Sequence, residues 1–145
     1  MLKGINPLIG PDLLAVLARM GHGDELVIAD ANFPAASVAR STFAGHEFRI
    51  DRDAVEVLSA VLSLLPIDDF QPDPVMFMQV VGDPQAVPPV VQAAMPILAE
   101  QGLQPTGLER FAFYARAKSA FAVIRTTEGR AYGNFILRKG VIATF

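Results

Sequence analysis

Gly21-His22-Gly23-Asp24-Glu25 runs into the apolar stretch Leu26-Val27-Ile28-Ala29 and on to Asp30-Ala31-Asn32-Phe33-Pro34. The apolar run does not alternate with polar residues and is bounded by turn formers. That is the pattern of a strand covered on both faces, as in a layered α/β sheet. A strand is therefore expected from Glu25 to Asp30, with a histidine in the turn that enters it and an aspartate where it runs out. Ligands of α/β proteins gather at strand ends, where loops present polar groups around a rigid scaffold. A site is expected here.

Working outward, Pro11 and Asp12 suit the first turn of a helix whose apolar face is Leu13, Leu14, Val16, Leu17 and Met20, with Gly21 as its C-terminal stop. Ala44 to Ile50 reads as a strand. Asp53-Ala54-Val55-Glu56 has capping-box spacing and opens a helix through about Leu65, ended by Pro66. After the loop Phe70-Gln71-Pro72-Asp73-Pro74, Val75 to Val81 reads as a second central strand, closed by Gly82-Asp83-Pro84. Pro88 to Gln101 reads as a helix kinked or interrupted by Pro96 and capped by Gly102. Glu109 to Ala120 reads as an amphipathic helix, Phe121 to Thr126 as a strand, Glu128-Gly129 as a turn and Tyr132 to Leu137 as the last strand. This alternation predicts a single three-layer α/β/α domain over residues 1–145 with a central mixed sheet. Strand order is not legible.

Composition sets the company the chain keeps. Hydrophobic residues make up 52% of its 145 residues and charged residues only 19%, too few charges to solvate a lone particle of this size. Apolar surface buried between subunits, hence a homo-oligomer, is the expectation. With net charge −3 and no isolated Lys or Arg cluster, nucleic-acid binding is not expected. No apolar run approaches the roughly 20 residues of a membrane span, and Met1-Leu2-Lys3-Gly4 lacks an apolar signal core. The protein reads as cytoplasmic, without a membrane partner. With no cysteines, disulfides and thiolate metal sites are excluded.

Several chemistries fail on their motifs. There is no phosphate-cradling Gly-rich loop with Lys-Ser/Thr and no Gly-x-Ser-x-Gly elbow. Gly21-His22-Gly23 precedes its strand, whereas a dinucleotide fingerprint follows one. His22 and His46 share no metal-ligand spacing. No cofactor and no metal are expected.

A small polar set remains. His22 is either a general acid or base or a cap on the helix end, where an imidazolium gains from the dipole. Asp24 reads as a turn former. Asp30 is a solvated loop carboxylate or one that binds hydroxyls, and Asn32 an Asx turn or a hydroxyl reader. Arg110 starts a helix among aromatics, where the dipole disfavours a cation unless an anion or acceptor stands near. Tyr132 and Asn134 offer hydrogen bonds around Gly133, which admits close backbone approach. Met76 and Met78 read as core and His46 as surface. One imidazole, a carboxylate, an Arg, a Tyr and amides suit a neutral polyol and a reaction of proton transfers.

The sequence resembles the sugar mutarotase family that holds L-fucose mutarotase and D-ribose pyranase. The resemblance runs from Met1-Leu2-Lys3-Gly4-Ile5-Asn6-Pro7-Leu8-Ile9 through Met20-Gly21-His22-Gly23-Asp24-Glu25 and Asp30-Ala31-Asn32-Phe33-Pro34-Ala35. It continues in Arg110-Phe111-Ala112-Phe113-Tyr114, Tyr132-Gly133-Asn134 and Arg138-Lys139-Gly140-Val141. Arg110 and its aromatics are similar to the fucose branch; in the ribose branch a histidine tends to take that place.

The resemblance implies interconversion of the α and β anomers of a free monosaccharide, most closely L-fucose. His22 corresponds to the proton donor, Asp30 and Arg110 to substrate-binding positions, and Tyr132 with Asn134 to the C-terminal binding segment. It also implies pentamer rings or a decamer, with sites completed across subunit boundaries. Phe111, Phe113 or Met76 would meet the methyl group of a 6-deoxy sugar. Two other readings stay open: a pyranase-type pyranose/furanose interconversion of D-ribose, and a sugar-binding module without turnover.

Overall fold

The computed structural model describes residues 1–144. The strand expected from the apolar run is there: β1 is Glu25–Ala29, and Leu26, Val27, Ile28 and Ala29 are fully buried. Two core clusters explain why it does not alternate. Leu26 and Ile28 join one cluster with helices α1 (Pro11–Arg19), α3 (Ala54–Leu62) and α4 (Pro89–Glu100). Val27 and Ala29 join another with α2 (Ala35–Ala39) and α5 (Arg110–Lys118). Helices thus cover both faces of one sheet, and each buried Leu, Ile or Val contributes about 1.5–3 kcal/mol by leaving water.

The sheet is completed by β2 (Glu47–Arg49), β3 (Val75–Met78), β4 (Thr106–Leu108), β5 (Ala122–Arg125) and β6 (Phe135–Arg138), in the order β2-β5-β1-β6-β3-β4. β1 lies parallel to β5, with Val27 opposite Val123, and antiparallel to β6, with Val27 opposite Ile136. β6 also runs against β3. The sheet is therefore mixed, with β6 reversed among strands that share one direction. That reversal positions the site. The segment entering β6 arrives beside the end of β1, and Arg138 comes to lie opposite Glu25 at its start.

Several boundaries differ from those read along the sequence. Gly21 does not cap α1: the helix stops at Arg19, Met20 turns inward to 3% exposure, and the left-handed glycine of this turn is Gly23, at φ 88°. Lys139 Nζ supplies the cap instead, donating to Leu17 O (2.8 Å) and Met20 O (2.6 Å). α4 passes through Pro96 without interruption; Gln92, whose carbonyl loses its partner there, is exposed and can use solvent. β2 and β3 are shorter than expected: Ala44 and Ile50 keep single bonds to Phe121 O and Arg125 O outside the β2 ladder, and β3 gives way to the turn closed by the Asp83 N–H on Val80 O. The short helix α2 and the edge strand β4 had no periodic signal. Among the described residues no helix is long and apolar enough to cross a membrane.

The capping predictions for α3 and α4 hold. Asp53 accepts from the Glu56 N–H (2.9 Å). Gly102, at φ 68°, closes α4 with Gly102 N–H to Ala99 O (3.0 Å) and Leu103 N–H to Leu98 O (2.9 Å), the paired bonds of a Schellman motif.

Candidate functional site

Past the end of β1 lies a cavity of about 230 Å³ walled by Asp30, Asn32, Arg110, Tyr114, Tyr132 and Asn134, with Phe33 and Met78 as apolar surface. Drug-sized ligands occupy cavities of about 300–1,000 Å³, so this one suits a smaller guest. Asp30, Arg110, Tyr132 and Asn134 come together from β1, α5 and the approach to β6.

Asp30 is 3% exposed and organises the others. Its Oδ1 accepts from the Asn32 N–H (3.0 Å) and the Phe33 N–H (2.8 Å). Its Oδ2 accepts from the Gly133 N–H and from Asn134 Nδ2, both at 3.1 Å. Asn134 Oδ1 in turn accepts from the Asp30 N–H (2.8 Å). With these donors the carboxylate is neither a free loop group nor an unoccupied base; it joins the two loops that build the cavity. The Asx turn expected at Asn32 is made by Asp30 instead, whose Oδ1 accepts from the Asn32 N–H two residues on, and Asn32 lines the cavity.

Tyr132 has φ 60°, left-handed backbone that a bulky residue adopts only under constraint, at a cost of about 1–3 kcal/mol. It therefore sits in the turn before β6, not in the strand. Gly133 could not be anything larger: a Cβ there would meet Glu128 Cγ at 2.8 Å and Asp30 Cβ at 3.4 Å. Glu128 is 3% exposed and braces this loop from behind. It accepts from Arg130 Nε (2.8 Å) and the Ala54 N–H (3.2 Å), while the Ala31 N–H donates to its carbonyl (2.8 Å). The Arg130 side-chain bond, ahead of the backbone donors, holds its carboxyl below the usual carboxylate range against the effect of burial.

Arg110 enters the cavity wall with an unpaired donor. Its Nε is buried with no hydrogen-bond partner among the described residues, and an unpaired donor on a cation is costly. The anion that offsets the helix dipole is Glu109, which accepts from the Ala112 N–H (2.9 Å). Its carboxyl is lowered first by the Phe111 N–H, then by the Ala112 N–H, with Arg110 adding attraction. The apolar wall differs from expectation. Phe113 and Met76 are core residues, and Phe111, 66% exposed, stands outside the cavity under the Arg110 guanidinium at 4.7 Å. Phe33 and Met78 line it instead.

His22 is elsewhere. It lies before β1 and Asp30 lies after it, so a five-residue strand, at about 3.3 Å per residue, separates them by roughly 15 Å. Its Nε2 is 3.0 Å from Asp68 Oδ1, and Phe70 meets the ring edge-on at 4.8 Å. Asp68 is 2% exposed and also accepts from the Phe70 N–H (3.0 Å) and Arg138 Nε (2.7 Å). The Phe70 N–H first, then Arg138 and His22, bring its carboxyl down to about 2. Arg138 fastens the surrounding loop through Gln71 O (3.1 Å) and Pro72 O (2.7 Å). Asp68, Glu128 and Tyr114 had drawn no site role from the sequence; Asp68 meets His22, and Glu128 meets the Ala54 N–H, only across long stretches of chain.

A larger cavity, about 350 Å³ between α1 and residues 139–142, is apolar, and its one charged group, Lys139, is already engaged by α1. Among the described residues no three or more His, Asp or Glu side chains gather as a metal site.

Comparison with known proteins bears on these two clusters. The RbsD / FucU transport protein family matches residues 3–142. A fucose mutarotase of Bos taurus is 46% identical over 148 residues, covering 99% of this chain and 95% of its own. The solved structure of the fucose mutarotase in complex with L-fucose from Streptococcus pneumoniae superposes with a TM-score of 0.87 at 38% identity, covering 98% of this chain and all of that one. RbsD of Bacillus subtilis, solved with D-ribose, shares the fold at a TM-score of 0.69 and 24% identity, over 99% of this chain and 100% of its own.

Proposed function

The chain belongs to the RbsD / FucU transport protein family, and from that premise we propose that it is an isomerase, a mutarotase that interconverts the α and β anomers of L-fucose. The observation that carries this reading is Arg110, whose Nε is buried with no partner among the described residues and which lines a cavity that also presents Asn32, Tyr114 and Tyr132. A polyol supplies the acceptors that such a donor lacks. Phe33 and Met78 offer a wall for a methyl group in place of a hydroxyl.

Ring opening needs a proton on the ring oxygen and loss of one from the anomeric hydroxyl. His22 gives the first: with Nε2 engaged by Asp68, Nδ1 is the ring nitrogen left to exchange a proton with the sugar. The bond between C1 and the ring oxygen breaks, water in the open cavity takes the hydroxyl proton, and an aldehyde results. Rotation about C1–C2 and reclosure return both protons and give the other anomer. One positioned acid or base contributes about 10²–10⁴-fold. Arg110, Tyr132 and Asn134 bind the sugar, and Asp30 holds Asn134 and the loop in place.

Because β1 separates His22 from the cavity, the working site is made by two copies of the chain, His22 of one copy closing the cavity of the next. The reading is therefore of a homo-oligomer, a pentamer ring or a decamer of such rings. Exposed apolar residues lie at both halves of the proposed contact: Phe70 beside His22 and Phe111 beside the cavity, at 67% and 66% exposure. Heterologous contacts of this kind close into rings.

Saturation-transfer NMR tests the reading on L-fucose, D-ribose, L-rhamnose and D-galactose. L-Fucose anomers should exchange faster than in buffer. Acceleration of D-ribose alone would transfer the protein to pyranase chemistry, and acceleration of none would make it a binding module.

A further inference from the structure

One turn beside the cavity is built around a hydrogen bond that the reaction above does not use. Val80 to Asp83 form a type II turn: the Asp83 N–H donates to Val80 O (3.1 Å), and Gly82 has φ 78°, the left-handed value its position requires. The Gln79 N–H anchors the turn to Leu108 O on β4 (2.9 Å). Val81, second in the turn, has a solvent-exposed side chain and donates its peptide N–H to Tyr132 Oη (3.2 Å). At the other end of Tyr132, the Gly133 N–H is tied to Asp30 Oδ2 (3.1 Å). The phenol is thus held both at its backbone and at its oxygen.

We propose that the Val81 peptide N–H is a positioning group for sugar ring opening, fixing the Tyr132 hydroxyl so that its O–H is directed at the bound sugar. A phenol oxygen accepts and donates at once. With its acceptor side met by a fixed backbone donor, its proton is left for the ligand. The role rests on the mutarotase reading and adds to it that the turn at 80–83 belongs to the reacting assembly. An amide donor needs no particular side chain, which is why the identity of Val81 carries no hint of it.

Val81→Pro removes this N–H with little else, since proline is favoured at the second position of such a turn and the side chain lost is exposed. In the intact chain, saturation-transfer NMR on L-fucose should show kcat/KM for exchange falling about ten-fold, the usual effect of one lost hydrogen bond, mostly through a raised KM, as befits a hydroxyl that binds the sugar. Val81→Ala keeps the amide and should exchange at least several-fold faster than Val81→Pro. In a Tyr132→Phe background Val81→Pro should cause no further loss, because no hydroxyl remains to orient. Wild-type rates for Val81→Pro, or an undiminished loss in the Tyr132→Phe background, would overturn the role while leaving mutarotation standing. No acceleration by the unaltered protein would sink both.

Discussion

His22 Nε2 lies 3.0 Å from Asp68 Oδ1 while Arg138 Nε occupies Asp68 Oδ2 at 2.7 Å. The imidazole is tethered through one nitrogen to a carboxylate that is itself locked, and its side chain is still 40% exposed. Such a pairing orients the ring without burying the nitrogen that exchanges a proton.

Replacing His22 should therefore separate chemistry from binding. His22→Ala is expected to lower L-fucose anomer exchange by about 10²–10⁴-fold while titration calorimetry still detects the sugar. Exchange at the wild-type rate would remove His22 from the mechanism.

Two inactive variants should restore one another. His22→Ala keeps an intact cavity and Arg110→Ala keeps an intact imidazole. If each site draws on two copies, dissociating and reassembling an equal mixture should regenerate about one quarter of wild-type sites by random pairing. Activity no higher than that of the separate variants would mean that each copy works alone.

Acid should weaken the His22 end in a defined window. The Asp68 carboxyl is held at about 2, below its ordinary value of 3.8, by the Phe70 N–H, Arg138 and His22. A group with a lowered folded value adds stability that is complete above the unfolded value and is lost as pH falls towards the folded one. Denaturant midpoints should therefore drop between about pH 4 and 2. Asp68→Asn should differ most from wild type at neutral pH and converge with it near pH 2; a gap independent of pH would contradict the assignment.

The loop junction should be sensitive to small changes. Asn134→Ala leaves the buried Asp30 N–H and part of its carboxylate unpaired, a loss of about 1–3 kcal/mol. Gly133→Ala drives a methyl group into Glu128, which Arg130 and Ala54 hold in place, and overpacking of this kind costs about 1–3 kcal/mol. Chemical denaturation measures both, and values near zero would show that the loop yields.

Local pattern was enough for much of the fold. The unbroken run Leu26 to Ala29 demanded cover on both faces, Asp53 and Gly102 announced helix ends through bonds within a few residues, and alternation of elements called for a layered α/β domain. These signals are legible because a strand's burial and a helix's caps are properties of neighbours in the chain. Where the partner lay further off, the reading failed: Gly21 was displaced as a cap by Lys139, and α2 and β4 are too short to show a period.

The same division runs through the candidate site. Residue chemistry alone singled out His22, Asp30, Arg110, Tyr132 and Asn134 as a set suited to a polyol. Only the tertiary structure determined that Asp30 and Asn134 clasp one another across 104 positions, that Asp68 stands behind His22, and that Arg110 and Tyr132 gather at the Asp30 end of β1. Hydrogen bonds of this reach depend on the reversed direction of β6 and on which strands become neighbours, and both follow from packing the whole sheet between its two helical layers.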